Sequence, residues 1–510
     1  MKLRMILESK KDGRRKGRLV GQGFWEDKGV TGAHIDSPVA SFAAVRMLLF
    51  MGEVEGEEQT VVASGDISKA FLKADEYPEG SEPRYVRFRM YKGGPEHVWR
   101  LKGPLYGSRD SPKLWFESFA RFMAAVQHMI EAGFEFEGEY HDGAGVQQLV
   151  EGTVNEYLQG KDEPCVFVNP NTGMRVVVFV DDIISRGTVA ETEKFYAAVQ
   201  GRYPMRTWSI LSPGHPLEHL GFTVTEEIEG GAVHRYLSQE RDVKQMLSDH
   251  NIVVNTAVTC PMPSKSRICR DSELLSEEEA SDYRALVGSM SWFAISLRYD
   301  IAHSVSRLQQ LSQSPTAAAY SEAVRVAAYL GSTFDFKLGG RIVTGANSIE
   351  CHSDSDHAGD RDLGTPSHSG AIILLNGIVV HWRSKKQPKT SVSPAAAEIY
   401  ACSEAVRELR QIWWIARDLN MVMFGALVVQ VDNNQVISFK YSSCSKSKLR
   451  GMISNRWNWV KELKEDKELQ VVKVAGRNNM ADILTKCLEN AEFNRQRDQI
   501  IAKSQIITKS

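Results

Sequence analysis

Short apolar runs separated by polar turns fill the first part of the chain, a pattern of strands interleaved with helices. Strand patterns fall at 17–20, 61–63, 85–90, 98–101, 176–178 and 219–224, and helix patterns at 41–51, 112–122 and 191–200. Residues 128–163 are rich in Gly and Glu without periodicity and read as an insertion. From about 240 to 340 the pattern is helical, with Leu286, Met290, Phe293 and Leu297 at core-facing spacing. After 346 it changes again: strands at 349–352, 371–375 and 379–382, a long helix behind Ser393-Pro394, then a strand at 427–431, a helix at 456–464, a strand at 470–474 and a final helix from Asn479. The order β-β-β-α-β-α-β-α describes a self-sufficient α/β domain.

A chain of 510 residues exceeds one compact core, so several domains are expected. Apolar content of 42%, charged content of 25% and a net charge of −2 are ordinary, so bulk charge announces no partner. Basic runs at 10–18, 383–389 and 440–450 read equally as solvated faces or nucleic-acid contacts. Seven scattered cysteines without CxxC spacing argue against a disulfide framework or a zinc site and for a reducing compartment. No apolar stretch reaches membrane-spanning length, and no signal peptide is evident.

Candidate chemistry lies in the acids that end apolar runs. Asp181 and Asp182 follow Val176-Val177-Val178, and Asp66 follows Val61-Val62-Ala63. Carboxylates crowded at strand ends repel unless a cation shares them, and three can hold a pair of Mg²⁺ ions for in-line phosphoryl transfer. A second set follows: Asp354 just past a strand end, Asp432 ending another, and Glu398 and Asp482 in the early turns of helices. On spacing alone, Glu398 and Asp482 read equally as metal ligands and as acids favoured at helix N-termini.

The residues then become recognisable. Residues 16–24 (KGRLVGQGF), 65–72 (GDISKAFL), 101–116 (LKGPLYGSRDSPKLWF), Phe179 to Asp182 and 219–222 (HLGF), followed by 353–360 (SDSDHAGD), 384–388 (SKKQP), 393–398 (SPAAAE), 431–434 (VDNN) and 481–486 (ADILTK), stand in one order. Together they resemble the reverse transcriptase and RNase H portion of a copia-type LTR retrotransposon Pol polyprotein, over nearly the whole chain.

The resemblance implies an α/β and α+β multidomain fold, a right-hand polymerase of fingers, palm and thumb followed by an RNase H-like α/β domain. It divides the chain into fingers and palm at 1–235, a helical thumb and connection at 236–345, the RNase H-like domain at 346–490 and a polar tail at 491–510. It implies RNA-directed DNA polymerisation with RNase H activity, and Mg²⁺ as cofactor, two per active site, with Mn²⁺ as a substitute. Asp66, Asp181 and Asp182 become the polymerase ligands, and Asp354, Glu398, Asp432 and Asp482 the nuclease ligands. Phe71 falls at the steric gate, though it reads equally as a core phenylalanine. Lys16 and Arg18 are placed to meet triphosphate oxygens or else solvent, and Tyr106, Gly107 and Pro112 to shape the template–nucleotide floor. Implied partners are RNA template, DNA primer, RNA/DNA hybrid, dNTPs and other Pol segments such as integrase, with no membrane. The implied location is intracellular: the cytoplasm, in a virus-like particle, or the nucleus.

Four departures stand against the family's pattern. The chain opens close to the fingers block, so truncated fingers are expected; Phe179 replaces the usual tyrosine; the 128–163 insertion is long; and Met452 and Ser454 stand where the family has a His and an Asp. They motivate an alternative reading, a degenerate or domesticated copy that binds nucleic acid without catalysis.

Overall fold

Apolar alternation along the first part of the chain resolves into a six-stranded antiparallel sheet and two two-stranded ribbons. The computed structural model describes all residues except 10–14, 27–34, 57, 92, 132–156, 255–256, 265, 267, 269, 358, 360–362, 364–366, 389, 392, 439–449 and 504–510. The chain packs as two units. One comprises Met1–Leu48, Glu58–Ile210 and Asp418–Asn420, and the other Leu49–Glu57, Leu211–Arg417 and Met421–Ser510.

In the first unit, β1 (Leu3–Ser9) and β2 (Arg15–Gly21) form a two-stranded ribbon, and α1 (Phe42–Phe50) is apolar on nearly every side. Then come β3 (Val61–Ile67), the hairpin of β4 (Arg84–Arg89) and β5 (Glu96–Leu101), and α2 (Ser111–Glu131). After them follow β6 (Leu158–Gln159), β7 (Val166–Val168), β8 (Arg175–Phe179), β9 (Asp182–Gly187), α3 (Val189–Arg202) and β10 (Met205–Ile210). The main sheet runs β10-β3-β9-β8-β7-β6, antiparallel throughout. Trp115, Phe119 and Phe122 of α2 meet Phe195, Tyr196 and Tyr203 over Ile67, Val176 and Val178 in one buried cluster. Each such side chain contributes about 1.5–3 kcal/mol by leaving water. Thr188 caps α3 by accepting the Glu191 amide hydrogen at 3.3 Å.

The second unit carries two five-stranded sheets. The first uses β11 (Leu217–His219), β12 (Phe222–Glu229), β13 (Ala232–Ser238) and, after the helices α4 (Glu240–Asp249), α5 (Glu277–Ser296), α6 (Ala302–Gln309) and α7 (Ala317–Ser332), β14 (Phe336–Arg341). Ser276 and Glu279 close a capping box at the start of α5. The second sheet uses β15 (Ile349–Asp356), β16 (His368–Leu375), β17 (Ile378–Lys386), β18 (Leu427–Val431) and β19 (Leu469–Lys473), in the order β17-β16-β15-β18-β19. Its first three strands pair antiparallel, while β15–β18 and β18–β19 pair parallel. Between these strands lie α8 (Pro394–Asp418), α9 (Asn434–Ser438) and α10 (Arg450–Glu465). The expected class holds: α/β and α+β in several parts, with antiparallel sheets first and a mixed five-stranded α/β sheet after them.

Four local readings are corrected. Residues 219–224 are not one strand, because Leu220 and Gly221 take positive φ of 50° and 78° and turn β11 tightly into β12. No helix starts at Asn479. That side chain bonds the Ala481 amide at 3.2 Å and the Ser353 carbonyl at 3.0 Å, so the chain makes short 3-10 turns at Gly476–Asn478 and Asp482–Leu484. The polar tail at 491–510 includes regular structure: α11 (Asn490–Ile500) leads into β20 (Ile501–Lys503), which pairs with β14. Its buried face is largely polar, with Gln496 and Arg497 only 1% and 4% exposed, so hydropathy could not reveal it. Asp354 lies within its strand, not past its end. The insertion reading at 128–163 falls largely on residues outside the described ones, and the side chains of Met452 and Ser454 lie outside them too.

Candidate active sites

The first acidic group is built by strand register. β3 and β9 pair antiparallel so that Asp66 stands opposite Asp182, and the Asp181 carbonyl accepts the Ile67 amide hydrogen at 2.8 Å. Asp181 and Val180 form the turn between β8 and β9, where Val180 takes a φ of 59°. A β-branched residue is strained there, and the indole of Trp115 donates to the Val180 carbonyl at 2.6 Å, holding the turn. Burial, then the neighbouring Asp181 and Asp66, push the Asp182 carboxyl up to about 7. Burial also raises Asp181, aided by Asp66 and opposed by Arg206 and Arg18.

Arg206 on β10 reaches Asp66 at 3.0 Å. The sequence reading missed this cation, and only the pairing of β10 with β3 brings it there. Phe71 sits half-buried on a 3-10 turn, its ring 5.3 Å edge-on from that of Tyr106. Burial raises the Tyr106 phenol, and Asp181 adds to it. Gly107 has a φ of 83°, and a Cβ there would lie 2.1 Å from the Gly21 carbonyl oxygen. The Gly21 amide donates to the Tyr106 carbonyl at 2.6 Å and the Gly23 amide to the Gly107 carbonyl at 3.0 Å. The blocks at 16–24 and 101–116 are therefore glycine-rich where their backbones touch. Pro112 lies in the first turn of α2 and accepts the Ser37 hydroxyl at 3.1 Å. Arg18 is exposed on β2; Lys16 follows the same strand by its backbone, and its side chain lies outside the described residues. Phe179 stacks on Phe42 with 6.0 Å between ring centres.

The second group converges from four separate segments. Asp354 is buried in the middle of β15, Glu398 comes from the first turns of α8, Asp432 follows β18, and Asp482 opens the 3-10 turn. Asp354, Glu398 and Asp432 each offer an oxygen, all within 4.8 Å of one another, a donor set suited to one hard cation. Lys486 reaches Asp354 at 3.1 Å and Asp482 at 2.9 Å, and the Thr485 hydroxyl donates to Asp354. Gly370 stands opposite Asp354 on β16, and a Cβ there would lie 2.7 Å from the Thr485 methyl. The absent side chain lets this segment close over the acid. Burial and then Asp354 raise the Glu398, Asp432 and Asp482 carboxyls. The sequence reading gave Thr485 and Lys486 no role. The readable signal was Lys486 standing four residues after Asp482 within ADILTK.

Among the described residues, no helix is long and apolar enough to cross a membrane. A family model described as reverse transcriptase (RNA-dependent DNA polymerase) matches residues 3–264. The chain is 25% identical over 97% of its length to the "Retrovirus-related Pol polyprotein from transposon TNT 1-94" of Nicotiana tabacum, covering 35% of that protein. It is 25% identical over 94% of its length to the corresponding polyprotein from transposon RE2 of Arabidopsis thaliana, covering 30% of it. A Transposon Ty1-NL2 Gag-Pol polyprotein of Saccharomyces cerevisiae matches at 23% identity over 96% of this chain and 26% of its own. The resemblance to copia-type Pol polyproteins stands, and the chain spans about a third or less of each of these relatives. Among solved structures, a foamy virus protease–reverse transcriptase aligns over 96% of this chain and 51% of its own, at 13% identity and a TM-score of 0.24. An overlap that loose adds nothing to the topology above.

Proposed function

Because the chain belongs to the reverse transcriptase (RNA-dependent DNA polymerase) family, we propose that it copies RNA into DNA and degrades the RNA strand of the resulting hybrid. The observation that carries this reading is the register setting Asp66 opposite Asp182, with Asp181 in the adjoining turn. The trio Asp354, Glu398 and Asp432 supports the nuclease half. The chain acts as a segment of a longer Pol-type polyprotein, with fingers and palm at 1–235, thumb and connection at 236–345 and the nuclease at 346–490. RNA template, DNA primer, dNTPs and hybrid are its ligands, and integrase its neighbour in the polyprotein.

Asp66, Asp181 and Asp182 would hold Mg²⁺ at the polymerase site, and Asp354, Glu398, Asp432 and Asp482 at the nuclease site. When bound, such ions offset the charge that builds on the transferred phosphoryl group and lower the pKa of the attacking oxygen. The protein's part is positioning. The β3–β9 register fixes the primer-side acids, and the charge of Arg18, already felt by Asp181 and Tyr106, meets triphosphate oxygens together with Lys16. Phe71, braced edge-on by Tyr106, forms a wall that rejects a ribose 2′-hydroxyl by a packing penalty. Tyr106, Gly107 and Pro112 carry the floor beneath the base pair.

Primer extension on an RNA template, run beside hybrid cleavage, tests both halves. Asp181→Asn should abolish extension and spare cleavage, and Asp432→Asn the reverse, each loss being roughly a thousand-fold or more. Extension that survives in Asp181→Asn removes the polymerase assignment. Loss of both activities in either variant removes the assignment of separate sites.

A further inference from the structure

Asp181 lies in a two-residue hairpin loop, Val180-Asp181, closed by Phe179 opposite Asp182. The first loop residue is a valine at a φ of 59°, where glycine is the favoured occupant and a branched Cβ is crowded. A valine left to itself returns to negative φ, and that return rotates the central peptide of the loop, the one joining Val180 to Asp181. Two hydrogen bonds oppose the rotation. The Trp115 indole donates to the Val180 carbonyl at 2.6 Å, and the Ile67 amide donates to the Asp181 carbonyl at 2.8 Å. Because each peptide is planar, the first bond fixes the plane before the Asp181 Cα and the second fixes the plane after it. The direction of the Asp181 side chain is set between them.

The donor is itself held. Trp115 is 2% exposed, its ring 5.6 Å from that of Phe119 and 5.2 Å from that of Tyr203. Val180 packs against the same cluster, a contact that a glycine in its place would lack.

We propose that Trp115 is a positioning residue for DNA synthesis: its indole N–H keeps the Val180–Asp181 peptide in the orientation that polymerisation uses. This rests on the polymerase reading above. Trp115 acts on the reaction only through that backbone, so its loss should slow turnover and leave nucleotide affinity alone.

Steady-state primer extension on an RNA template, with hybrid cleavage and a thermal melt run on the same full-chain preparations, tests this. Trp115→Phe keeps an aromatic ring in the cluster and removes the donor. Its kcat for extension should fall about ten- to a hundredfold, while KM for dNTP and the rate of hybrid cleavage stay within about threefold. Phe119→Leu loosens the same cluster one helical turn away, and should lower the melt while kcat stays within about threefold. In a Val180→Gly background, where the loop is no longer strained, adding Trp115→Phe should cost less than about threefold. Should Trp115→Phe not fold, 3-benzothienylalanine at position 115, which keeps the bicyclic shape and lacks the N–H, supplies the same comparison. An unchanged kcat in the folded donorless variant, an equal fall in Phe119→Leu, or an undiminished fall in the Val180→Gly background overturns the inference. No extension by the parent overturns the polymerase reading itself, so the two failures are told apart.

Discussion

The acids around Asp66 and the acids around Asp354 meet one electrostatic demand with different backbones. In the first unit a single antiparallel register brings Asp66 and Asp182 face to face, and the turn between β8 and β9 adds Asp181. In the second unit a strand interior, a helix start, a strand end and a short 3-10 turn each deliver one acid. The difference shows in the counter-charges. Asp66 is 32% exposed where it meets Arg206, whereas Asp354 is 1% exposed where it meets Lys486. Register leaves Asp66 partly in water at its strand end, where water shares the screening. Convergence encloses Asp354, where Lys486 meets a carboxylate that water no longer reaches.

The largest effect expected from this contrast is at a third carboxylate, Asp300, fully buried and fully partnered. Two guanidinium nitrogens of Arg298 reach it at 2.9 and 2.8 Å, and the Tyr329 hydroxyl donates at 2.6 Å. Asp300→Asn should cost about 3–5 kcal/mol, read from the urea midpoint, because it leaves Arg298 buried without its counter-charge. A loss below about 1 kcal/mol would break the link between enclosure and cost.

Glu398 should respond in the opposite direction. Burial, then Asp354 and Asp432, raise its carboxyl above the ordinary 4.5. A raised acid weakens folding as pH climbs from its unfolded value through its folded one, since the unfolded chain then releases the proton more readily. In chelator at pH 7–8, Glu398→Gln should therefore stabilise the protein by roughly 1–3 kcal/mol, and the gain should vanish below about pH 4.5. A melt unchanged at pH 8 would mean that the acids do not strain one another. Asp66→Asn, with its exposed partner, should shift stability by less than about 1 kcal/mol under the same conditions. The smallest change belongs to Phe179→Tyr. That ring stacks on Phe42 half-buried, so stability should stay within about 0.5 kcal/mol and extension should persist. Loss of extension in that variant would show that the turn cannot accommodate a hydroxyl.

The legible part of the molecule is where local pattern and tertiary role coincide. β18 runs over Leu427–Val431, as its apolar run predicts, and α8 starts behind Ser393-Pro394 for the capping reason read from those two residues. Asp66, Asp181, Asp182 and Asp432 were readable because acids ending apolar runs are electrostatically out of place, whereas Glu398 and Asp482 stood out only through the family resemblance. The hairpin at Leu220-Gly221 was misread because alternation carries no φ. The turn at Asp482 was misread because Asn479 spends its amide on Ser353, a residue 126 positions away in the chain.

Strand and helix periods and the acids that end apolar runs follow from local chemistry, so the sequence determined them by itself, whereas the contact of the 16–24 and 101–116 glycines did not. Which cation faces which acid did not. Arg206 meets Asp66 only through the pairing of β10 with β3, and Lys486 meets Asp354 only because Gly370 lets its turn close over β15. Arg497, in a helix with scarcely an apolar residue, is buried against the ring of Phe336, 4.5 Å from its centre, in the same unit. Such contacts depend on distances between residues far apart in the chain, and those distances exist only once the sheets have formed.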